Sequence, residues 1–303
     1  MCYYQIEYYP HLGNFIIALI GILNEVIIQK NNKCDNISIL NIDKNIFFYD
    51  VIKIHNNNNY KKEKLNKKNI YNYDIHTAFS KGVFVPIEEK RKLGMHYILP
   101  LIKKENIIKT NQVEILYDMV LHIGIFNKKE ENEPQQQELL FPYWQPPWKY
   151  YQHILNEEIK KNNRSKICVV YDDIDHPCLK KLMEEFPHLS YFQTNTDKGR
   201  FCLMNSKKMV AGIESFIIIS FVLNPSLKKI ILPKENNYIK TFPKNKEIKV
   251  EYCIFQNYID LWRNTNRYEE LILEKNMHFY KNEKNIDEIY LPTWLILKYM
   301  YKK

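Results

Sequence analysis

Between residues 149 and 233, short β-branched and apolar runs alternate with stretches whose apolar residues recur at helical spacing. The strand-like runs are KICVV, KKMVAG and KKIILP; the helical ones are residues 149–161, residues 176–186 and the apolar segment after Gly212. Strands joined through helices of this length cannot be hairpin partners. They return parallel to one another, and the helices must cover both faces of the sheet they form. The pattern therefore predicts an α/β fold.

The first half repeats the theme with less regularity. Residues 15–28 are apolar enough to raise the question of a membrane span, but Asn24 and Glu25 interrupt the run and it is too short, so it reads as a buried helix. DNISILNI, residues 35–42, suits a core strand, and EILYDMVLHIGIF, residues 114–126, suits a buried strand that runs into a turn at Gly124. Residues 55–73, rich in Asn and Lys, show no usable period and read as a surface loop. The polar residues 127–138 read as a linker. A chain of 303 residues is long enough for two cores. The expected organisation is two Rossmann-like units, residues 1–140 and 141–250, followed by a helical segment over 251–303 that closes with a helix at 290–301.

Composition narrows the classes. With 45% hydrophobic and 26% charged residues the chain is globular rather than disordered. The formal charge of +9 would suit an anionic partner, yet it comes with an excess of Ile, Asn and Lys, residues whose codons are AT-rich. The basic stretch NNNNYKKEKLNKKN carries no recognised nucleic-acid motif, so no nucleic-acid partner is expected. The 6 cysteines are scattered without a C-x-x-C pair, which implies reduced thiols in a cytoplasmic setting. No signature of an oligomeric state is present.

Ligands of parallel sheets sit at the carboxyl ends of the strands, where loops run into helix N-termini that attract anions. Three places fit: a turn at Leu12, Gly13 and Asn14, the strand end from His122 to Gly124, and the turn from Gly212 to Ser215. Asp172 and Asp173, with Asp175 close behind, follow the KICVV strand. They are either hard-oxygen ligands for a divalent cation or the cap and turn chemistry that D-H-P favours. PYWQPPW, residues 142–148, offers aromatic faces for sugar stacking or a rigid turn.

Taken together these pieces resemble the alpha-1,2-fucosyltransferases and their relatives, inverting glycosyltransferases of GT-B-like architecture. The resemblance rests on Leu12-Gly13-Asn14 before an apolar helix and on LHIGIF with its His122. It rests also on YDDIDHPCLKKLM and on RFCLMNSKKMVAGIESFIIISFVLNPSLKKIILP, and together these cover roughly residues 8–233 in the family's order. It implies two Rossmann-like domains facing a cleft. It also implies metal-independent, inverting transfer of fucose or a related deoxyhexose from a nucleotide diphosphate to a glycan hydroxyl. No cofactor is implied; GDP-fucose is the first expected donor and a UDP-sugar the second. Asn14 and His122 would act at the reacting centre, and Gly13, Asn14, His122, Arg200, Ser215 and Phe216 would hold the donor.

The chain departs from the family pattern at three points. The arginine two residues after the histidine falls on Gly124, the glutamine after Gly-Asn falls on Phe15, and the aspartate opening the D-L-x-L-M motif falls on Arg200. Arg200 is accordingly expected to take over the diphosphate. Two alternatives stand beside this: a metal-dependent transferase using Asp173 and Asp175, and a binding protein of the same fold that has lost turnover.

Overall fold

The computed structural model describes residues 2–7, 12–28, 34–40, 51–53, 70–85, 87–101, 116–126, 145–212, 217–234, 248–255, 261, 267–273 and 279–282. Two sheets organise them. The first holds β1 (Cys2–Glu7), β2 (Cys34–Leu40), β3 (Val51–Lys53) and β4 (Ile70–Tyr73) in the order β3-β2-β1-β4. β1 runs parallel to both its neighbours, and β3 is antiparallel to β2.

The second sheet takes in β5 (Tyr117–Ile123), β6 (Ile167–Tyr171), β7 (Ser190–Gln193), β8 (Ser206–Val210), β9 (Lys229–Lys234), β10 (Lys249–Phe255) and β11 (Phe279–Asn282). Its order is β11-β10-β9-β8-β5-β6-β7, with every pairing parallel except β10 with β11. The α/β fold read from the alternating runs is the fold observed.

Strands β5 and β6 are apolar on both sides because helices cover both. Met119, Leu121, Ile123, Ile167 and Val169 pack on one face with α4 (Trp148–Lys161), α5 (Pro177–Glu185) and α8 (Tyr268–Ile272). Val120, Cys168 and Val170 face the other way, into a core shared with α6 (Asp197–Met204) and α7 (Ile217–Leu223). That second core also contains α1 (Leu12–Leu23), α2 (Ile75–Val83) and α3 (Ile87–Leu93) of the first half. The two sheets thus share one apolar interior. Polar ties reinforce the join: Arg91 of α3 donates to the carbonyls of Phe221 and Asn224 at the end of α7, 2.6 and 3.0 Å away, where the helix leaves acceptors unsatisfied. Asn224 in turn donates to the carbonyls of Leu203 and Ser206, which pins α7 to the start of β8.

Helix α1 is the apolar run of residues 15–28 seen in the sequence, and its side chains from Phe15 to Ile20 are fully buried. The backbone continues past Leu23 as a π-helical turn, Asn24–Ile28, where Glu25 pairs with Lys81 of α2 at 2.5 Å. The polar residues that break the apolar run therefore mark the exit of the helix from the core.

Several expectations are corrected. Leu12, Gly13 and Asn14 form the first turn of α1 rather than a loop before it. Residues 70–73, assigned to a surface loop, form β4, because Ile70, Tyr71 and Tyr73 suit a strand and β1 offers them a parallel partner. Past residue 251 the chain continues β10 and adds β11 to the sheet, where a helical segment was expected; the short α8 is a helix of that stretch. The linker at 127–138 and the closing helix at 290–301 lie outside the described residues.

Close approach of α1 and α2 depends on two glycines. A Cβ on Gly21 would lie 2.1 Å from the Ala78 carbonyl oxygen, and one on Gly82 would lie 1.8 Å from that of Ile17. Both obstacles are backbone, so neither helix can yield without moving the other. Gly82→Ala is expected to destabilise the protein by about 1–3 kcal/mol despite its better helix propensity. Urea unfolding measures this, and an unchanged or raised midpoint would contradict the packing argument.

Candidate functional site

The order of the seven-stranded sheet fixes where a ligand crevice can open. From β5 the chain builds outward through β6 and β7, then returns to β5's other side and builds outward again through β8, β9 and β10. The loops leaving the carboxyl ends of β5 and β8 consequently diverge, and open parallel sheets bind ligands at such a switch point. The ends of these two strands carry His122 to Gly124 and Gly212, two of the three places singled out in the sequence. They are neighbours: a Cβ on Gly212 would stand 3.7 Å from the His122 carbonyl oxygen and 3.7 Å from the Tyr151 hydroxyl of α4. The third place, the first turn of α1, belongs to a helix that packs on α7, the helix following β8. There Gly13 is buried and Asn14 is half-buried.

His122 is the polar residue in an otherwise apolar strand end. Its Nε2 faces Asp172 Oδ2 at 3.3 Å, and the side chains are 1% and 11% exposed. Asp172 gets there because the β5–β6 ladder runs one step past the strand, the Asp172 amide donating to the Ile123 carbonyl at 3.0 Å. At this distance the two side chains form an ion pair only when the imidazole is protonated. The loop after β5 is held from below: buried Gln145 donates through Nε2 to the Ile125 carbonyl at 3.1 Å.

A second histidine belongs to the cluster. His176 caps α5, its Nδ1 accepting the Cys178 amide at 3.1 Å, and its ring lies 5.4 Å from that of Phe126. It is fully buried, and its Nε2 makes no hydrogen bond among the described residues. Burial, with a smaller contribution from the nearby His122, pushes it down to about 3. It is neutral at physiological pH.

The remaining sequence candidates divide. Asp173 accepts the Asp175 amide at 2.8 Å within its own turn, and exposed Asp175 pairs with Lys180 at 2.7 Å. Both carboxylates take part in the contacts of the β6–α5 turn, as the cap and turn reading of D-H-P expects. Arg200 lies in the first turn of α6, its Nη1 3.9 Å from Asp197 Oδ1. It follows β7, two strand spacings or roughly 10 Å from β5, and does not share the His122 strand. Ser215 and Phe216 lie outside the described residues. Of the PYWQPPW segment, Gln145 and Trp148 are buried, so the rigid-turn reading fits them and an exposed stacking platform does not. Cys168, Cys178 and Cys202 are free and buried, Cys253 is buried, and burial pushes the Cys168 and Cys178 thiols up, away from reactivity.

His176 and buried Thr194, at the end of β7, were not anticipated. In the sequence, D-H-P and T-N-T-D look like ordinary cap and turn chemistry.

No protein-family model matches the chain, and no curated protein does. Among solved structures, E. coli heptosyltransferase WaaC with ADP-2-deoxy-2-fluoro heptose is similar at 8% identity, over 82% of this chain and 92% of that one, with a TM-score of 0.37. No helix among the described residues is long and apolar enough to cross a membrane.

The depressed His176 has a consequence for stability. Its folded value of about 3 lies below the ~6.5 of a free histidine. The neutral ring's contribution is therefore complete above pH ~6.5 and is lost as pH falls toward 3, to a limit of about 5 kcal/mol. His176→Asn keeps an N-cap acceptor and removes the titration. Urea unfolding from pH 7 to 3.5 is expected to show the native protein losing stability more steeply than the variant; equal slopes would refute the assignment.

Proposed function

We propose that this chain is an inverting glycosyltransferase that moves a sugar from a nucleotide diphosphate to a glycan hydroxyl. The observation that carries the reading is the buried His122–Asp172 pair, set where the carboxyl ends of β5 and β8 diverge. A crevice of this kind suits a nucleotide, and a dry imidazole–carboxylate pair suits proton handling beside it.

In the proposed reaction the acceptor oxygen attacks the anomeric carbon from the side opposite the diphosphate. The bond from that carbon to the phosphate oxygen breaks with both electrons going to the leaving nucleoside diphosphate, and the acceptor proton passes to His122 or to solvent. The transition state has oxocarbenium character, so positioning and leaving-group stabilisation carry most of the rate. Arg200, at the head of α6, is the proposed partner of the diphosphate, with charge-assisted contacts that strengthen as the phosphate leaves. Gly13 and Asn14 at the start of α1, together with Ser215 and Phe216 between β8 and α7, are the proposed remaining donor contacts. Fucose or a related deoxyhexose on GDP is the first donor to test, a UDP-sugar the second.

Thermal shift with a panel of GDP-, UDP- and ADP-sugars is expected to single out one donor, because a ligand bound only by the folded state raises its stability. With that donor, His122→Ala should lower kcat/KM by about 100-fold or more, and Arg200→Ala should weaken donor binding by about tenfold or more. A shift without transfer would favour the binding-protein alternative. No shift with any member of the panel would remove the nucleotide-sugar reading altogether.

A further inference from the structure

A neutral histidine carries its proton on one ring nitrogen and accepts with the other. In His176 the backbone decides which is which. Nδ1 accepts the Cys178 amide at 3.1 Å, the contact that caps α5, so that nitrogen carries no proton. Burial keeps the ring neutral at physiological pH, and its one proton is therefore on Nε2. That Nε2–H is fully buried and meets no acceptor among the described residues. Capping does not account for it, because Asn, Asp, Ser or Thr would cap α5 as well and leave no second polar group behind. A buried donor without a partner is costly, so a histidine here implies an acceptor from outside the chain.

The ring stands at the carboxyl edge of β5 and β6. It lies 5.4 Å from the ring of Phe126, on the loop leaving β5, and its amide donates to the Asp173 carbonyl at 3.3 Å, on the turn leaving β6. His122 is close enough for its charge to bear on it. Both loops reach solvent beside it, Ile125 being 44% and Ile174 48% exposed. His176 is thus enclosed where two surface loops meet, on the edge where the switch point places a ligand. The titratable and charged groups about it are His122 on β5, Asp172, Asp173 and Asp175 on the β6–α5 turn, and Cys178 on α5. A neutral donor among carboxylates does not select an anion. Its complement is an uncharged oxygen.

We propose that the Nε2–H of His176 is a substrate-binding donor, hydrogen-bonded to a hydroxyl or ring oxygen of the transferred sugar. The proposal rests on the transferase reading above and names the part of the donor that this residue reads: the sugar, and not the nucleoside diphosphate. Its contribution is binding and orientation of the sugar rather than proton transfer.

Nitrogen-15 NMR of the histidine rings, with calorimetry, tests it against the panel of GDP-, UDP- and ADP-sugars and the matching nucleoside diphosphates. The free protein is expected to show His176 as a neutral Nε2–H tautomer. The intact nucleotide sugar that binds should shift that ring proton, and its nucleoside diphosphate alone should not. His176→Asn keeps an acceptor at the Nδ1 position and has no atom where Nε2 stands. It should weaken the nucleotide sugar about threefold to tenfold and leave the nucleoside diphosphate unchanged. His176→Gln, which carries an amide N–H out to the Nε2 position, should restore much of the preference for the intact sugar. A native His176 protonated on Nδ1, or a variant that weakens both ligands equally, would overturn the proposal. So would contacts from the ring proton to a bound water that persist when the nucleotide sugar is saturating. A protein that binds a nucleotide sugar without moving the His176 signal loses only this proposal; one that binds no member of the panel loses the transferase reading and this proposal with it.

Discussion

Burial of β5 and β6 on both faces is the constraint from which the rest follows. With α4, α5 and α8 on one side and α1, α6 and α7 on the other, positions along these strands have no water within reach. Such strands must be apolar along their length. A polar side chain can appear only at an end, where the sheet stops and the loops begin. His122 and Asp172 are therefore confined to the carboxyl edge by the same packing that makes the core, and the strand order decides which edge residues meet.

The same core binds the two sheets together. In a protein whose halves touched only across a polar seam, the first turn of α1 and the end of β8 would be positioned independently. Here α1 packs on α7 within a shared apolar cluster, and Arg91 closes the far end of α7. The first turn of α1 and the end of β8 consequently belong to one packed unit. The α1–α2 crossing through Gly21 and Gly82 sets how deeply α1 can sit in that unit. It also answers why a chain with only 7 glycines places one in the middle of an apolar helix.

The α/β class was legible because interior parallel strands leave unbroken apolar runs: the KICVV run enters β6 at Ile167 and the strand goes one residue past it to Tyr171, and α4 and α5 start and end within a residue or so of the helical spacing. Strand β4 was not legible, since an Asn- and Lys-rich stretch hides three good strand residues whose partner, β1, lies some seventy positions earlier. The candidate site divides the same way. His122 stands out in the sequence as a polar residue ending an apolar run. Its pairing with Asp172 depends on β5 and β6 being neighbours, which no local pattern encodes. His176 and Thr194 were hidden by ambiguity of chemistry, because residues that cap helices and turns are the same types that build polar clusters.

The arrangement of charge also bears on how a donor would lie. Gly124 is buried two residues beyond His122 where the resembling family has an arginine, and the group beside the histidine is instead the Asp172 carboxylate. A diphosphate placed directly over that carboxylate would meet like charge in a dry site, which is unfavourable. The arginine at this edge of the neighbouring strands is Arg200, after β7. On the proposed reading the diphosphate is therefore drawn toward the head of α6, and the sugar, which is neutral, is the part that lies against the His122–Asp172 pair. That orientation gives the imidazole access to the acceptor oxygen rather than to the leaving group. It assigns stabilisation of the departing diphosphate and handling of the acceptor proton to different strand ends of one sheet.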